Sequence, residues 1–447
     1  MTAFAGQLIV RPTAKIIGQG TNYARIKNNM YRLRKWSVVS LAAILAAATG
    51  CTSNQVGLSP GGPVKEFSSQ PCWVLQSDCV SLAVTQVGAH IAPVTFYRND
   101  AAGVQPYYIS PWQDEHLTHL PAPVLTSLRG DFFCFPFGGN DAAYGTEKHP
   151  PHGEVAGSRW EFSGIEKSGA VNTLTLSLKT KVRPGTVTKR ISLIDGQNVI
   201  YTQEQLTGYT GPMSLGHHAT LALPEKEGSV RVAASRFRLG MTCPVLFSDP
   251  VNREYQSFAI NKRFKDLTQV PLMWKDAPEA DATRFPARTG FTDLLAIFSE
   301  PAEKNGGHPA WITATNAEAG YLWFSLKDQA ILPATVFWIS NKGRHGVPWN
   351  GRNRCLGLED VCGYFAQGLN ASASQNELNE QGIPTVLQLS PHVPTNVNYI
   401  QGVVKIPAGF DVVKSVEFDK EGVTFISTAG PRVSAKLKCS FLQSGKL

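Results

Sequence analysis

The stretch Arg129-Gly-Asp-Phe-Phe-Cys-Phe-Pro-Phe-Gly138, followed by Pro151-His152-Gly153 and Trp160, is the most informative part of this sequence. It places an arginine, a turn constrained by proline and glycine, and a histidine within a short, otherwise strand-like segment. Polar side chains among so many apolar neighbours indicate a pocket at the rim of a β-rich scaffold. This stretch alone does not indicate the ligand.

The sequence from about Pro71 onward is typical of an all-β protein. Leu174, Leu176 and Leu178 alternate with Thr and Ser, which is the period of a half-buried strand. A turn signal at Asp195-Gly196 lies between two apolar runs and predicts a hairpin. Helix signals are limited to a turn or two over residues 375–381. Further strand-like runs cover residues 321–326, 334–339, 403–406, 413–418 and 423–426.

These patterns predict a large antiparallel β-sandwich with few short helices, in one domain over residues 71–447. The apolar fraction of 43% and the charged fraction of 17% are typical of a soluble globular protein. The chain contains no Walker loop, no HExxH and no GxSxG motif, which argues against ATPases, zincins and the common serine hydrolases.

The formal net charge of +8 reflects the N-terminal part of the chain. Every charged side chain before Cys51 is a lysine or an arginine, so the remainder is close to neutral. The remainder therefore offers no electrostatic support for nucleic-acid binding, and no nucleic-acid partner is expected.

Residues 1–50 are predicted to be an N-terminal extension that ends in a signal peptide. A basic segment from Arg32 to Lys35 precedes an apolar run that is short for a transmembrane span. The run ends in Ala48-Thr49-Gly50-Cys51, which resembles the lipobox of bacterial lipoproteins. That resemblance implies lipidation of Cys51, a flexible tether over residues 51–70, and an exported, membrane-anchored protein facing the periplasm or on the outer membrane. The alternative is an ordinary signal peptide followed by an incidental cysteine.

Export makes the other cysteines relevant, because disulfides form in oxidising compartments. Cys72/Cys79 and Cys355/Cys362 share a C-x6-C spacing, which predicts two small disulfide-closed loops. The chain contains no CxxC motif, and its histidines are not spaced with cysteines as in a zinc site. We therefore expect no structural metal centre.

Four polar clusters are candidates for chemistry, because buried carboxylates and imidazoles are costly unless they are paired. In the strand-like run 216–223, adjacent histidines point to opposite faces, so one is expected to point inward and the other outward. A structural role is the alternative in each case, for example a cap aspartate or a glutamate that neutralises Arg354. The clusters are Arg129 with His152, the His217-His218 pair, Asp293 and Glu359.

The order of these clusters resembles the aldose 1-epimerase, or galactose mutarotase-like, superfamily. The run from Arg129 to Gly139 and the following Pro151-His152-Gly153 are similar to motifs of its hexose-phosphate mutarotase branch. His218 and the residues after it resemble the second histidine motif of the superfamily, and Gly290-Phe-Thr-Asp293 resembles its aspartate loop. The segment from Arg354 to Glu359 resembles the strand that carries the catalytic glutamate. The resemblance covers roughly residues 80–430 and implies a large antiparallel β-supersandwich.

The resemblance also implies a sugar or glycan substrate, an isomerase activity that interconverts anomers, and no cofactor or metal. Glu359 would be the general base for the anomeric hydroxyl and His218 the general acid for the ring oxygen, with the roles reversed on ring closure. Aromatic side chains such as Trp349 and Phe137 are expected to stack on the sugar. The substrate-binding residues so implied are Arg129, His152, His217 and Asp293.

The chain departs from the family pattern in two places. It has His152-Gly-Glu-Val-Ala where the branch has His-Gly-Phe-Ala-Arg, so a phosphorylated sugar is not expected. The doubled histidine leaves open whether His217 or His218 is the acid. Two alternatives to a mutarotase are a non-catalytic carbohydrate-binding lipoprotein and a lyase or hydrolase that uses carboxylates such as Glu154 and Glu359.

Overall fold

The computed structural model describes residues 62–447. The predicted signal peptide, Cys51 and the tether up to residue 61 lie outside the described residues, so export and lipidation stay predictions. A first strand, β1 (Val64–Phe67), pairs with the strand that follows it, so regular structure begins before the predicted tether boundary at residue 70. Within residues 62–447, no helix has the length and apolar character needed to cross a bilayer.

Residues 62–447 form 27 strands and two short α-helices. After β1 the chain forms β2 (Gln70–Gln76), β3 (Val80–Thr85), β4 (Ile91–Phe96), β5 (Phe133–Cys134), β6 (Glu161–Ser168), β7 (Val171–Thr180), β8 (Gly185–Ile194) and β9 (Val199–Thr207). The middle part forms β10 (Gly211–Met213), β11 (Leu215–Ala222), β12 (Val230–Ala234), β13 (Phe237–Thr242), β14 (Arg263–Phe264), β15 (Val270–Pro271), β16 (Glu279–Ala280), β17 (Arg284–Phe285) and β18 (Phe291–Ser299). The last part forms β19 (Ala310–Asn316), β20 (Tyr321–Lys327), β21 (Ala334–Asn341), β22 (Arg354–Cys362), β23 (Leu387–Leu389), β24 (Thr395–Lys405), β25 (Val413–Phe418), β26 (Gly422–Ser427) and β27 (Arg432–Lys436). The helices are α1 (Leu369–Ala373) and α2 (Phe441–Ser444), and short 3-10 turns cover Gln113–Glu115, Pro123–Thr126, Glu154–Ala156, Pro250–Asn252, Ala302–Asn305 and Asn379–Gln381.

The predicted all-β class is confirmed. The alternating leucines lie in β7, and the Asp195-Gly196 signal forms the turn between the antiparallel strands β8 and β9. Gly196 has φ +84°, which a glycine adopts without steric cost. The helical turn predicted over residues 375–381 is a single 3-10 turn.

Two large antiparallel sheets face each other. One has seven strands in the order β14-β13-β18-β21-β22-β11-β5, and the other has nine in the order β17-β12-β19-β20-β24-β9-β8-β7-β6. Smaller sheets comprise β1 to β4 and β25 to β27, and two further strand pairs are β10 with β23 and β15 with β16. The main apolar core lies between the two large sheets and combines side chains such as Leu356 and Leu358 of β22 with Trp323 of β20.

The seven-stranded sheet is buried on both faces. Successive side chains of a strand point to opposite faces, so in β22 Leu358 and Asp360 point toward the nine-stranded sheet, whereas Glu359 and Val361 point away from it. A second apolar cluster, which includes Phe132 and Trp338, covers this outer face. Adjacent polar residues of one strand can therefore both be buried, on opposite sides of the sheet.

Both predicted disulfides are wrong, because the seven cysteines among the described residues are free thiols. Cys355 and Cys362 lie near opposite ends of β22, and seven residues of extended chain separate their Cα atoms by about 23 Å. Cys72 pairs with Thr85 near the open end of the β2–β3 hairpin, whereas Cys79 lies in its turn. A disulfide needs Cα atoms within about 7 Å of each other, and extended strands prevent that for both pairs.

Candidate active site

A cleft of about 470 Å³ opens on the outer face of the seven-stranded sheet. This volume is within the range of small-molecule sites, about 300–1,000 Å³. Apolar side chains from residues 121–128 and 245–247 form part of its wall. Its polar and aromatic lining residues include His152, His218, Trp338, Arg344, Trp349 and Glu359.

His218 and Glu359 form a directly opposed pair on the floor of this cleft, and we call them the cleft pair. The register of β11 against β22 places the two residues opposite each other, so their side chains lie on the same face. Nε2 of His218 lies 3.1 Å from Oε1 of Glu359. Nδ1 of His218 lies 3.1 Å from Oγ1 of Thr220, which is two residues further along the strand and on the same face.

Burial favours the uncharged form of both members of the cleft pair. It raises the pKa of Glu359 well above its ordinary value. Burial, together with the nearby His152, lowers the pKa of His218 well below its ordinary value. In this uncharged form the Glu359 carboxyl group donates to Nε2 of His218, and Nδ1–H of His218 donates to Oγ1 of Thr220. The pair holds one transferable proton.

Phe132 and His152, both from the segment between Arg129 and Trp160, also surround the imidazole of His218. The ring of Phe132 stacks on the imidazole at 4.5 Å between ring centres. The ring of His152 meets the imidazole edge-on at 5.1 Å, and burial lowers the pKa of His152 to about 4. His152 is therefore a neutral hydrogen-bonding group at the side of the cleft.

The backbone at His152 is held in an unusual conformation. His152 has φ +59° and Gly153 has φ +79°, both in the left-handed region. A Cβ atom on Gly153 would lie 1.8 Å from the carbonyl oxygen of Phe135, so only glycine fits there. The thiol of Cys134 contacts Nδ1 of His152 at 3.3 Å and helps to orient the ring. Strained conformations of this kind cluster at functional sites.

Arg129 lies outside the cleft, contrary to its expected sugar-binding role. Its side chain is buried, and its guanidinium donates to the carbonyl oxygens of Phe67 at 2.9 Å and Ser68 at 3.1 Å. It also donates to Oε1 of Gln113 at 2.8 Å. These hydrogen bonds of Arg129 therefore hold the turn after β1 in place.

Asp293 and Glu154 are also engaged elsewhere. Asp293 accepts hydrogen bonds from the backbone N–H and hydroxyl of Ser257 and from the N–H of Phe258, at 2.6–2.9 Å. Its strand neighbour Leu294 lines the cleft instead, because alternate residues of β18 face opposite sides. The Glu154 carboxylate accepts the backbone N–H groups of residues 181–182.

His217 lies on the other side of the sheet from the cleft. Its Nδ1 is 3.0 Å from Oδ2 of Asp131, and its Nε2 is 3.0 Å from Oε2 of Glu204. Lys189 is 3.3 Å from the second oxygen of Glu204. Burial alone would lower the pKa of His217, but the two carboxylates together raise it to about 9. The structure thus places His218 in the cleft and His217 in a buried ionic cluster.

No protein-family model matches the chain, and no curated protein sequence matches it. A candidate aldose 1-epimerase from Klebsiella pneumoniae superposes with a TM-score of 0.52 at 12% identity, over 75% of this chain and 80% of that one. A galactose mutarotase-like protein from Clostridium acetobutylicum superposes with a TM-score of 0.51 at 11% identity, over 77% of this chain and 98% of that one. The chain has a galactose mutarotase-like fold.

The mutarotase-like fold brings residues into the cleft that sequence patterns did not single out. Trp338 lies in a strand that was predicted, but nothing in an apolar run distinguishes a cleft tryptophan from a core one. Arg344 lies in the segment between β21 and β22, where no periodicity indicates the direction of a side chain. Phe137 is buried against His152 at 5.6 Å, whereas Trp349 lines the cleft. Within residues 62–447, no His, Cys, Asp or Glu cluster is arranged to hold a metal ion.

Proposed function

We propose that this protein is a mutarotase, which binds the cyclic form of an aldose in the cleft and exchanges its anomers by opening the ring. The observation that carries the proposal is the cleft pair, a carboxyl group and an imidazole in contact at 3.1 Å on the floor of a sugar-sized cleft. The mutarotase-like fold supports it, and the neutral His152 and the nearby aromatic rings suit a polyhydroxylated ligand.

Ring opening requires a base at the anomeric hydroxyl and an acid at the ring oxygen. Transfer of the shared proton from Glu359 to His218 produces the two groups at once, a carboxylate base and an imidazolium acid. Glu359 then removes the anomeric proton while His218 protonates the ring oxygen. After rotation about the C1–C2 bond, the reverse transfers close the ring. Each group ends the cycle in its starting state, so the reaction consumes no cofactor.

A carbohydrate-binding protein without catalytic activity is the second candidate. Arg129 and Asp293, which the family resemblance assigns to the sugar, make all their polar contacts away from the cleft. The shifted pKa values also favour the neutral form of the cleft pair, and the proton transfer must overcome that preference. Sugar binding without accelerated anomer exchange would support this candidate.

Anomer exchange of freshly dissolved aldoses, followed by polarimetry or NMR, tests the proposal. Glu359→Gln removes the proton-transferring group and should lower kcat/KM by about 10²- to 10⁴-fold. Glu154→Gln changes a carboxylate outside the cleft and serves as the matched control, with activity near that of the unmodified protein. Full activity in Glu359→Gln, or no acceleration across a broad panel of sugars, would reject catalysis.

The pH dependence of kcat/KM provides a second readout. The cleft pair holds one proton between the lowered pKa of His218 and the raised pKa of Glu359. The rate should therefore be highest between these two pKa values and decrease at lower pH, where His218 takes up a second proton, and at higher pH, where Glu359 ionises. An inflection near pH 6.5 that Glu359→Gln leaves in place would show that the pair does not act as a unit.

A further inference from the structure

We propose that the sugar bound in the cleft carries a carboxylate and that Arg344 binds this carboxylate. The inference rests on the proposed function for the sugar itself. The carboxylate is inferred from a separate observation. Arg344 lies in the cleft wall, and its terminal nitrogens have no hydrogen-bond acceptor from residues 62–447.

Arg344 is held in place from behind by Glu254. Oε1 of Glu254 accepts the backbone N–H groups of His345 at 2.9 Å and Gly346 at 3.2 Å, which fixes the segment that carries the arginine. Oε2 of the same carboxylate lies 3.5 Å from Nε of Arg344. This contact is beyond good hydrogen-bond distance, so Glu254 orients the guanidinium without occupying its outer edge.

Two aromatic rings pack near the guanidinium. Its central carbon lies 5.3 Å from the ring centre of Trp349 and 5.6 Å from that of Phe247, and all three residues line the cleft. The side chain is 28% exposed, and Nε is buried without a hydrogen bond. A guanidinium restrained by these neighbours presents a preorganised fork of N–H donors, which matches the two oxygens of a carboxylate.

The charges around the cleft favour a monoanion. Among the described lining residues, Arg344 is the sole lysine or arginine, and burial favours the uncharged forms of the cleft histidines and of Glu359. Asp141 is the other charged lining residue, and it is solvent-exposed. One guanidinium, partly offset by Glu254, matches a carboxylate better than a dianionic phosphate, which needs more positive charge.

An aromatic wall connects Arg344 to the cleft pair. The ring of Trp338 lies 5.8 Å from that of His218 and 5.5 Å from that of Trp349, which in turn contacts Arg344. The indole N–H of Trp338 is buried and has no acceptor from the described residues. A sugar lying along this wall would have its anomeric centre at the cleft pair and a carboxylate at the opposite end, as in a uronic acid.

Calorimetry with matched pairs of sugars tests this inference on the full chain. Glucuronate differs from glucose, and galacturonate from galactose, by a carboxylate in place of the C6 hydroxymethyl group. We expect each uronate to bind at least about tenfold more tightly than its neutral partner. Arg344→Gln should weaken uronate binding by about 10- to 100-fold and change binding of the neutral sugars by less than about threefold. Arg288→Gln is the matched control, because this arginine stacks on Trp274 at 4.4 Å outside the cleft, and it should change neither.

Equal affinity for the neutral and acidic sugars would overturn the inference, and this comparison requires no variant to fold. An equal loss for both classes in Arg344→Gln would overturn it as well, as would tighter binding of glucose 6-phosphate than of glucuronate. Anomer exchange of neutral sugars without uronate preference would leave the proposed function intact and reject this inference. Uronate binding that depends on Arg344 without anomer exchange would reject catalysis and support the acidic ligand. If neither class of sugar binds, both are rejected.

Discussion

Raising the pH from 6 to 10 should destabilise the protein through His217, the histidine of the buried ionic cluster. Its pKa is about 9 in the folded protein and close to the ordinary 6.5 in the unfolded chain. The folded state therefore binds the proton more tightly. This contribution to stability is fully present below pH 6.5, decreases as the pH rises, and is lost once the pH passes about 9.

The magnitude follows from the two pKa values. The rise from 6.5 to about 9 corresponds to about 3 kcal/mol, and no discount for solvent is needed because His217 and its two carboxylate partners are fully buried. For a protein with a typical stability of about 5–15 kcal/mol, such a loss is readily measured. Buried thiols with raised pKa values add a further loss in alkaline solution, because thiols of the unfolded chain ionise first.

Urea denaturation at intervals between pH 6 and 10 measures this effect. The His217→Gln variant retains the thiol contribution, so the difference between the two pH profiles isolates the histidine. We expect the unmodified protein to lose about 3 kcal/mol more than the variant over this range. A free energy of unfolding that stays constant between pH 6.5 and 9 in the unmodified protein would refute the reasoning, whether or not the variant folds.

Two other substitutions, each compared with a control substitution, test a buried ion pair on one side of the seven-stranded sheet and a tight backbone contact on the other. Lys327→Met should lower the free energy of unfolding by roughly 3–5 kcal/mol, because it leaves the buried carboxylate of Asp360, 2.7 Å away, without its cation. Lys167→Met, which breaks an exposed ion pair, should cost at most about 1 kcal/mol, and equal urea midpoints for the two would contradict this explanation. Gly153→Ala should cost about 2 kcal/mol more than Gly145→Ala in thermal or urea denaturation, since both glycines have positive φ but only the former has a carbonyl oxygen 1.8 Å from the new methyl group. Similar losses in both alanine variants would show that the clash is relieved by a small shift of the backbone.

The sequence was sufficient to predict most of the fold. Alternation in runs such as 174–178 and the turn at Asp195-Gly196 are local signals, and each is found where the pattern predicts it. The disulfides were predicted wrongly because the number of residues between two cysteines does not show whether the chain between them is extended or turns back. The six residues between Cys355 and Cys362 close a loop only if the chain turns, and here they form one continuous strand.

Fewer residues of the candidate site could be predicted from the sequence. His218 and Glu359 are brought together by the register of β11 against β22, which depends on pairing between distant segments. Arg129 and Asp293 are buried polar residues whose hydrogen-bond partners lie within the protein, and a sequence does not distinguish such residues from ligand-binding ones. Arg344 depends on the conformation of a long connecting segment, which Glu254 fixes from elsewhere in the chain.

The alternation of side chains along β11 means that one short strand encodes two separable properties. Even-numbered positions such as His218 and Thr220 lie on the face of the sheet that carries the cleft, and odd-numbered positions such as His217 and Ala219 lie on the face toward the other sheet. Substitutions that adapt the site to a new ligand can therefore accumulate at every second position without disturbing the interior. Insertion or deletion of a single residue in β11 would have a larger effect. It would exchange the side chains on the two faces of the strand and turn the residues of the ionic cluster toward the cleft. We therefore expect natural variation in this strand to be confined to substitutions.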